Sequence, residues 1–391
     1  MDLAQPAHGS DGVAGRTAPA AMASTPAMRH EPCPATMPLS DLDFGQPGLS
    51  RLWHGLGLQG WLRFLRRVLL VGCEVAWGSA VDLARSGFGS PDDGILRIED
   101  GVPAGQASPR IALYAHYSAS GRVSAMVLRQ LRAYRECGFS ILFVTMSPRI
   151  DATGWAQVLQ VATLAVQRRN HGLDFGAWRA LADLVARRWP DAGELLLTND
   201  SVLGPIRPLE PVFAALRTGG DGLFGLTDSR QGGAHLQSYF LLARGRTAVG
   251  ETLAFLGRAP LSSSKWMIVQ RCEIGLSRHM QRQGFCVAAL FGYRRLVAAV
   301  TARPAEGLAH LLPEHVPAGP LAPALPARPL NPVHHLWRPL VCLFGFPFVK
   351  TELVRRNPGR LPRVGSWPEL VGADSPCPAS MLAAHLAEIG R

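Results

Sequence analysis

From residue 110 onward, short apolar runs alternate with longer stretches in which apolar residues recur every three or four positions. Ile111–Ala115 (IALYA) and Ile141–Thr145 (ILFVT) are too short and too uniformly apolar for surface elements, which predicts buried strands. Leu164–Val166 and Leu195–Thr198 read the same way. Between them the helical period predicts helices over Val123–Cys137, Trp155–Leu164 and Ala177–Trp189, the last stopped by Pro190. Strands separated by helices of this length call for an α/β fold, a mostly parallel sheet flanked by helices. No fixed-period repeat is visible, which excludes a solenoid reading.

The flanks have different patterns. Residues 1–50 are rich in Ala, Pro, Ser, Gly and Met without periodicity and are expected to be a disordered tail. Residues 51–107 open with an amphipathic basic stretch and continue as a linker. Trp53, Trp61, Phe64, Leu65 and Leu69 are interleaved there with Arg63, Arg66 and Arg67. Such a helix packs on its own domain or lies on an anionic membrane surface as a peripheral contact. Residues 108–302 are the expected core domain. Residues 303–332 carry eight prolines and read as a linker, and 333–391 as a C-terminal segment packing on the domain.

Composition narrows the function classes. A hydrophobic content of 47% with 18% charged residues fits a globular chain. The net charge of +11 raises the question of nucleic acid, but the basic residues are scattered. All of them are arginine except Lys265 and Lys350, so no nucleic-acid partner is expected. Seven widely spaced cysteines with no CxxC pair form neither a disulfide framework nor a zinc site. With no secretory pattern at the start and no long apolar run, a cytoplasmic protein is expected, at most peripheral at the inner face of the membrane.

Candidate chemistry concentrates between residues 168 and 205. Asn170, Gly172 and Asp174 precede a predicted helix, where Asp174 stands at the position of an N-cap. Some 25 residues later a strand stops abruptly at Asn199-Asp200-Ser201. That triplet suits a plain turn, but it also lies where open α/β sheets bind ligands. His116, just beyond the first strand, faces the same end or is a packed histidine. No P-loop, HExxH, GxSxG or post-strand GxGxxG is found.

A Gly-containing loop entering a helix, then a strand ending in an acidic triplet, is similar to nucleotide-sugar glycosyltransferases of the GT-A fold. More specifically, NHGLDFGAWRAL, LLLTNDSVLGPI, FGLTDSRQGGAHLQSYFLL and WRPL…GFPFVKTELVRRNP resemble the rhamnan synthesis protein F family, as does IALYAHYSASGRV. The likeness spans about residues 110–362. It implies a GT-A-like transferase of cell-surface glycan assembly, with a nucleotide-sugar donor such as dTDP-rhamnose and a growing, lipid-linked glycan acceptor.

On that likeness Asp200 is assigned to a divalent metal, Mg or Mn, which offsets charge on the leaving diphosphate. Asn199, Ser201, Asn170, Gly172, Asp174, Arg179 and His116 are placed around the donor, and His235 and Gln237 near the acceptor. An inverting mechanism needs a carboxylate base, for which Glu273, read as near a helix start, and Asp228 both qualify. Two alternatives stand beside this. One is a non-catalytic scaffold of a glycan-assembly complex at the membrane, and the other a transferase using a UDP-hexose or GDP-fucose.

Overall fold

The computed structural model describes residues 36–39, 58–87, 94–102, 110–302, 331–358, 361 and 363–390. The disordered tail expected over 1–50 and the linker expected over 303–332 therefore lie outside the described residues, apart from 36–39 and 331–332.

The expected α/β sheet is present. Its central strands are β3 (Arg110–His116), β4 (Ser140–Thr145), β5 (Leu164–Arg168) and β6 (Glu194–Asn199). β3 pairs in parallel with β4 and β6, and β4 with β5. Almost every residue of these strands is buried, which is why they read as continuous apolar runs without alternation.

Beyond β6 the sheet continues through β11 (Phe240–Arg244), β8 (Gly222–Gly225), β12 (Cys286–Ala289) and the edge strand β1 (Met37–Pro38). The opposite edge is β2 (Ile95–Asp100), giving the order β1-β12-β8-β11-β6-β3-β4-β5-β2. β11 runs antiparallel to both β6 and β8, while β12 is parallel to β8. Both edge strands are antiparallel to their neighbours. Two expectations are corrected by this order. The stretch read as a linker before residue 107 supplies β2, and the stretch read as tail supplies β1. Neither is apolar enough to announce itself, because an edge strand buries little of its surface; five of the six β2 residues are exposed.

The long helix α1 (Leu58–Gly87) meets the domain along one polar stripe. The Glu74 carboxylate accepts from Ser264 Oγ and Trp266 N, and Asp82 accepts from Ser262 Oγ and Ser263 N. Gly78 is pressed so close to Ser264 that a Cβ would stand 2.8 Å from it. Leu62, Leu65, Leu69 and Leu70 are left exposed on the free side. Among the described residues no helix is long and apolar enough to cross a membrane.

Local chemistry sets the ends of the next helices. Helix α2 (Ala125–Glu136) is capped by the Ser124 hydroxyl, which accepts from Val127 N, and α3 (Ala152–Leu159) by Asp151, which accepts from Gly154 N. α3 stops five residues short of the expected Leu164. The chain has to turn at 160–163 so that Leu164 can enter parallel register beside Leu142, and Thr163 N already donates to Ile141 O. Helix α4 (Leu173–Arg188) starts four residues before the expected Ala177. Asp174 lines a cleft and Leu173 stands between that cleft and the core, so the apolar period is weak at the start of the helix. Helix α5 (Glu210–Leu216) precedes β8, and α6 (Arg246–Arg258) packs against α4.

The C-terminal segment returns to the sheet. β13 (Val349–Lys350) pairs antiparallel with β7 (Val202–Leu203), directly after β6. The last helix (Ala379–Ile389) rests on α2, where Ser124 Oγ lies 2.7 Å from His385 Nδ1.

Candidate active site

The carboxyl ends of β3 and β6 open onto a cleft of about 900 Å³. That is the end of an open α/β sheet at which ligands bind, because loops diverge there and leave a crevice. The size matches the pockets that enclose whole small molecules. The loop after β3, the start of α4, the loop after β6, the segment before β11, the helix Thr351–Arg356 and the last helix all contribute walls.

Asp200 sits at the tip of β6. Its Oδ2 accepts from Tyr117 N at 2.8 Å, and its own N–H donates to Ala115 O at 3.2 Å. The two strand ends thus hold the carboxylate in place by backbone contacts, which turn propensity alone would not do. Burial drives the Asp200 carboxyl up to about 7, with Asp174 adding repulsion. The Asp174 carboxyl is pushed to about 6, again mainly by burial and against the pull of Lys350.

Asp174 does not cap its helix. Gly172 holds the cap position with φ +79° and Leu173 follows at φ +51°, so the chain enters α4 through two left-handed residues. Asp174 is then in the first turn, and its Oδ2 accepts from Asn199 Nδ2 at 2.7 Å. Asn199 Oδ1 in turn accepts from Ser201 N and Ser201 Oγ. Lys350 Nζ donates to Ser201 Oγ at 2.8 Å, closing a chain of contacts Asp174–Asn199–Ser201–Lys350.

This entry geometry depends on Gly176. A Cβ there would lie 1.9 Å from His171 O and 2.8 Å from Arg168 Nη1. Gly176→Ala is therefore expected to lower stability by about 2 kcal/mol through overpacking. It should also loosen Asp174, a combination read by denaturant unfolding together with ligand binding. An unchanged midpoint would mean the helix entry has slack that the packing does not reveal.

Glu273 lines the cleft, and its Oε1 accepts from Ser238 N at 2.6 Å. It is not at a helix start. The short helix α7 (Lys265–Ile268) runs through a π turn (Val269–Glu273) into α8 (Ile274–Arg282). The wider turn inserts a residue into the helix and re-aims the side chains beyond it, a device often found at functional sites. Glu273 therefore lies within a continuous helical run and not, as the sequence suggested, near the start of one.

The second base candidate is elsewhere. Asp228 in β9 (Asp228–Ser229), which pairs with β10 (His235–Leu236), is buried and does not line the cleft. Its Oδ1 accepts from Tyr293 N at 2.6 Å, and burial raises its carboxyl to about 7.

The remaining candidates divide in the same way. His235 and Gln237 line the cleft, as does Ser201. His235 Nδ1 is 2.7 Å from Gly233 O, and Gln237 Nε2 donates to Asn331 Oδ1. His116 is packed instead: buried, against the Phe143 ring, with Nδ1 3.0 Å from Thr145 Oγ1. Burial pushes it down to about 3, so it is neutral. Asn170 is exposed away from the cleft, and Gly172 shapes the turn without lining it. Arg179 donates to Ala259 O at 2.8 Å and does not reach the cleft. Sequence reasoning missed Tyr117, Ser238, Trp266 and Lys350, all of which line it.

Asp174 and Asp200 are the carboxylates that could hold a metal beside a diphosphate. Among the described residues no group of three His, Cys, Asp or Glu side chains converges as ligands. Two partly buried carboxylates that repel each other nonetheless fit a divalent ion taking the rest of its shell from phosphate oxygens and water.

Fold and cleft define an α/β protein with a ligand-sized site of mixed charge at the carboxyl end of its parallel strands. Residues 141–317 match the model of rhamnan synthesis protein F, the family that the sequence segments resemble. An uncharacterised protein of Sinorhizobium fredii, y4gN, is 24% identical over 198 residues, 49% of this chain and 51% of its own length. The virulence protein VirA of Vibrio anguillarum is 26% identical over 204 residues, 51% of this chain and 64% of its own. The chain thus spans between half and two thirds of these curated relatives. A solved mannosyltransferase of Pyrobaculum calidifontis, in complex with GDP-Man and Mn2+, aligns with 74% of this chain and 82% of its own at 14% identity and a TM-score of 0.31.

Proposed function

We propose that the cleft is the active site of an inverting, GT-A-like glycosyltransferase. In this reading it moves rhamnose, or a similar deoxysugar, from a nucleotide donor to a growing, lipid-linked polysaccharide. The observation that carries the reading is the meeting of Asp174, the Asn199-Asp200-Ser201 triplet and Glu273 in one cleft, within the residues that match a rhamnan synthesis family.

The division of labour comes from the walls. Asp200, with Asp174 behind it, faces the donor's diphosphate and would hold Mg or Mn there. When bound, that ion offsets the negative charge growing on the departing nucleotide. Asn199 fixes the Asp174 carboxylate, and Ser201 links the pair to Lys350. Glu273 lines the same cleft, anchored through one oxygen by Ser238 N. Its other oxygen takes the proton of the acceptor hydroxyl as the hydroxyl oxygen bonds to the anomeric carbon and the bond from that carbon to the nucleotide diphosphate breaks. His235 and Gln237 lie on the same acceptor wall.

Donor consumption is the test. Purified protein is incubated with dTDP-rhamnose, UDP-glucose, UDP-galactose or GDP-fucose, each with Mg or Mn and a lipid-linked acceptor extract, and released nucleotide is quantified. Release from one donor, lost with EDTA and in Asp200→Ala, is expected and names the sugar. Silence across the panel would abandon the transferase reading for a scaffold, to which the exposed leucines of α1 would then give a docking face.

A further inference from the structure

Of the 40 basic residues in the chain, 38 are arginine, and both remaining lysines, Lys265 and Lys350, line the cleft. A chain that uses guanidinium wherever a positive charge is needed has an ammonium only here. The two groups differ physically. An ammonium is a compact point charge with three donors, whereas a guanidinium is a flat fork that needs more room.

The position of Lys350 is specific. Pairing of β13 with β7 sets Lys350 opposite Val202, and Thr351 N donates to Ser201 O at 3.1 Å. A residue 149 positions downstream of Ser201 is thereby locked beside the Asn199-Asp200-Ser201 triplet. Its Nζ donates to Ser201 Oγ at 2.8 Å and stands 5.1 Å from the centroid of the Tyr239 ring. Among the described residues its side-chain hydrogen bond is to Ser201 Oγ, and it forms no ion pair within 4.0 Å. The carboxylates of Asp174, Glu273 and Glu352 and the ammonium of Lys265 all act on it electrostatically. An ammonium on the cleft wall with a hydrogen bond to one hydroxyl and no close ion pair is free to take an anion that enters the cleft.

We propose that Lys350 binds the diphosphate of the donor directly, as a fixed positive charge supplied by the protein and separate from any metal at Asp200. One phosphate oxygen accepts from Nζ, while Ser201 and the Tyr239 ring hold the ammonium in place. The proposal deepens the transferase reading and rests on it for the donor, but its core is an anion site that can be tested by binding alone.

The probe is inorganic diphosphate, titrated calorimetrically into the full chain without divalent metal. Lys350→Met is expected to weaken binding by about 10- to 100-fold, the range of a charge-assisted hydrogen bond. Arg246→Met, which removes an equal charge from a surface pair with Asp191 outside the cleft, should leave binding within about twofold. Lys350→Arg tests shape against charge, and partial recovery is expected.

Should the variants fold poorly, the wild-type chain gives the answer through its few amines. Diphosphate should slow acylation of Lys350, monitored by mass spectrometry, while the α-amino group reacts unchanged. Equal binding by wild type and Lys350→Met overturns the proposal, as does acylation of Lys350 that ignores diphosphate. Binding that depends on Lys350, in a protein consuming no donor, would keep this site and remove the transferase reading.

Discussion

Glu273→Gln is expected to slow glycosyl transfer by about 100- to 10,000-fold, the range in which a positioned general base contributes. Donor binding should stay nearly unchanged. The amide keeps an oxygen where Oε1 accepts from Ser238 N, so the π turn and the segment entering β11 retain their anchor. The variant loses only the capacity to take a proton. The matched variant is Asp228→Asn. Its carboxylate accepts from the backbone N–H of Tyr293, away from the cleft, and an amide oxygen can do the same. Its transfer rate is therefore expected within about threefold of wild type, as for a change away from the reacting atoms. If Asp228→Asn is the crippled variant and Glu273→Gln the active one, the cleft has been assigned to the wrong carboxylate.

The same two residues mark where sequence reading runs out. Both Glu273 and Asp228 come after the acidic triplet and both stand near a predicted element boundary, so spacing alone ranks them equally. Burial and direction separate them, and these depend on the π turn, which has no signature in apolar periodicity. The central strands β3 to β6 are legible because sheets buried on both faces have to be apolar throughout. β1 and β2 are not, because edge strands carry ordinary surface residues. Asp174, Asn199, Asp200 and Ser201 lie at a strand end beside a helix start, so their neighbourhood can be anticipated from the order of elements. Lys350 cannot, since only the pairing of β13 with β7 carries it there. One signal does exist: in a chain with 38 arginines its two lysines are unexpected, and that rarity depends on no fold.

His116, Asn170, Gly172 and Arg179 show the opposite error. Each stands close in sequence to a residue that reaches the cleft, yet the backbone directs it elsewhere. His116 precedes Tyr117, whose N–H meets Asp200, while its own ring turns into the core beside Phe143. In a strand neighbouring side chains point to opposite faces, so adjacency in sequence is poor evidence for a shared site.

The second large effect expected is at Asp200, where stability and function should move in opposite directions. Its carboxyl is raised from 3.8 to about 7 by burial and by Asp174, so the folded state disfavours the charged form. A raised carboxyl pKa means the unfolded chain ionises first. The penalty is absent below about pH 4, grows as pH rises toward 7 and stays constant above. A shift of about three units corresponds to at most about 4 kcal/mol. Asp200→Asn, which keeps an oxygen for Tyr117 N, should therefore melt several degrees higher than wild type at pH 8 and at the same temperature near pH 4. Mn2+ should reverse the order at pH 8 by stabilising the wild-type chain alone, through binding only the folded, ionised site. Transfer should drop about 100-fold or more in the variant, because the charge on the leaving diphosphate loses its counter-ion. Calorimetric melts across pH, with and without Mn2+, check this without any knowledge of the donor. A variant no more stable than wild type at high pH would mean that Asp200 is already compensated by a charge inside the cleft. Lys350, one hydrogen bond away at Ser201, is the group that would supply it.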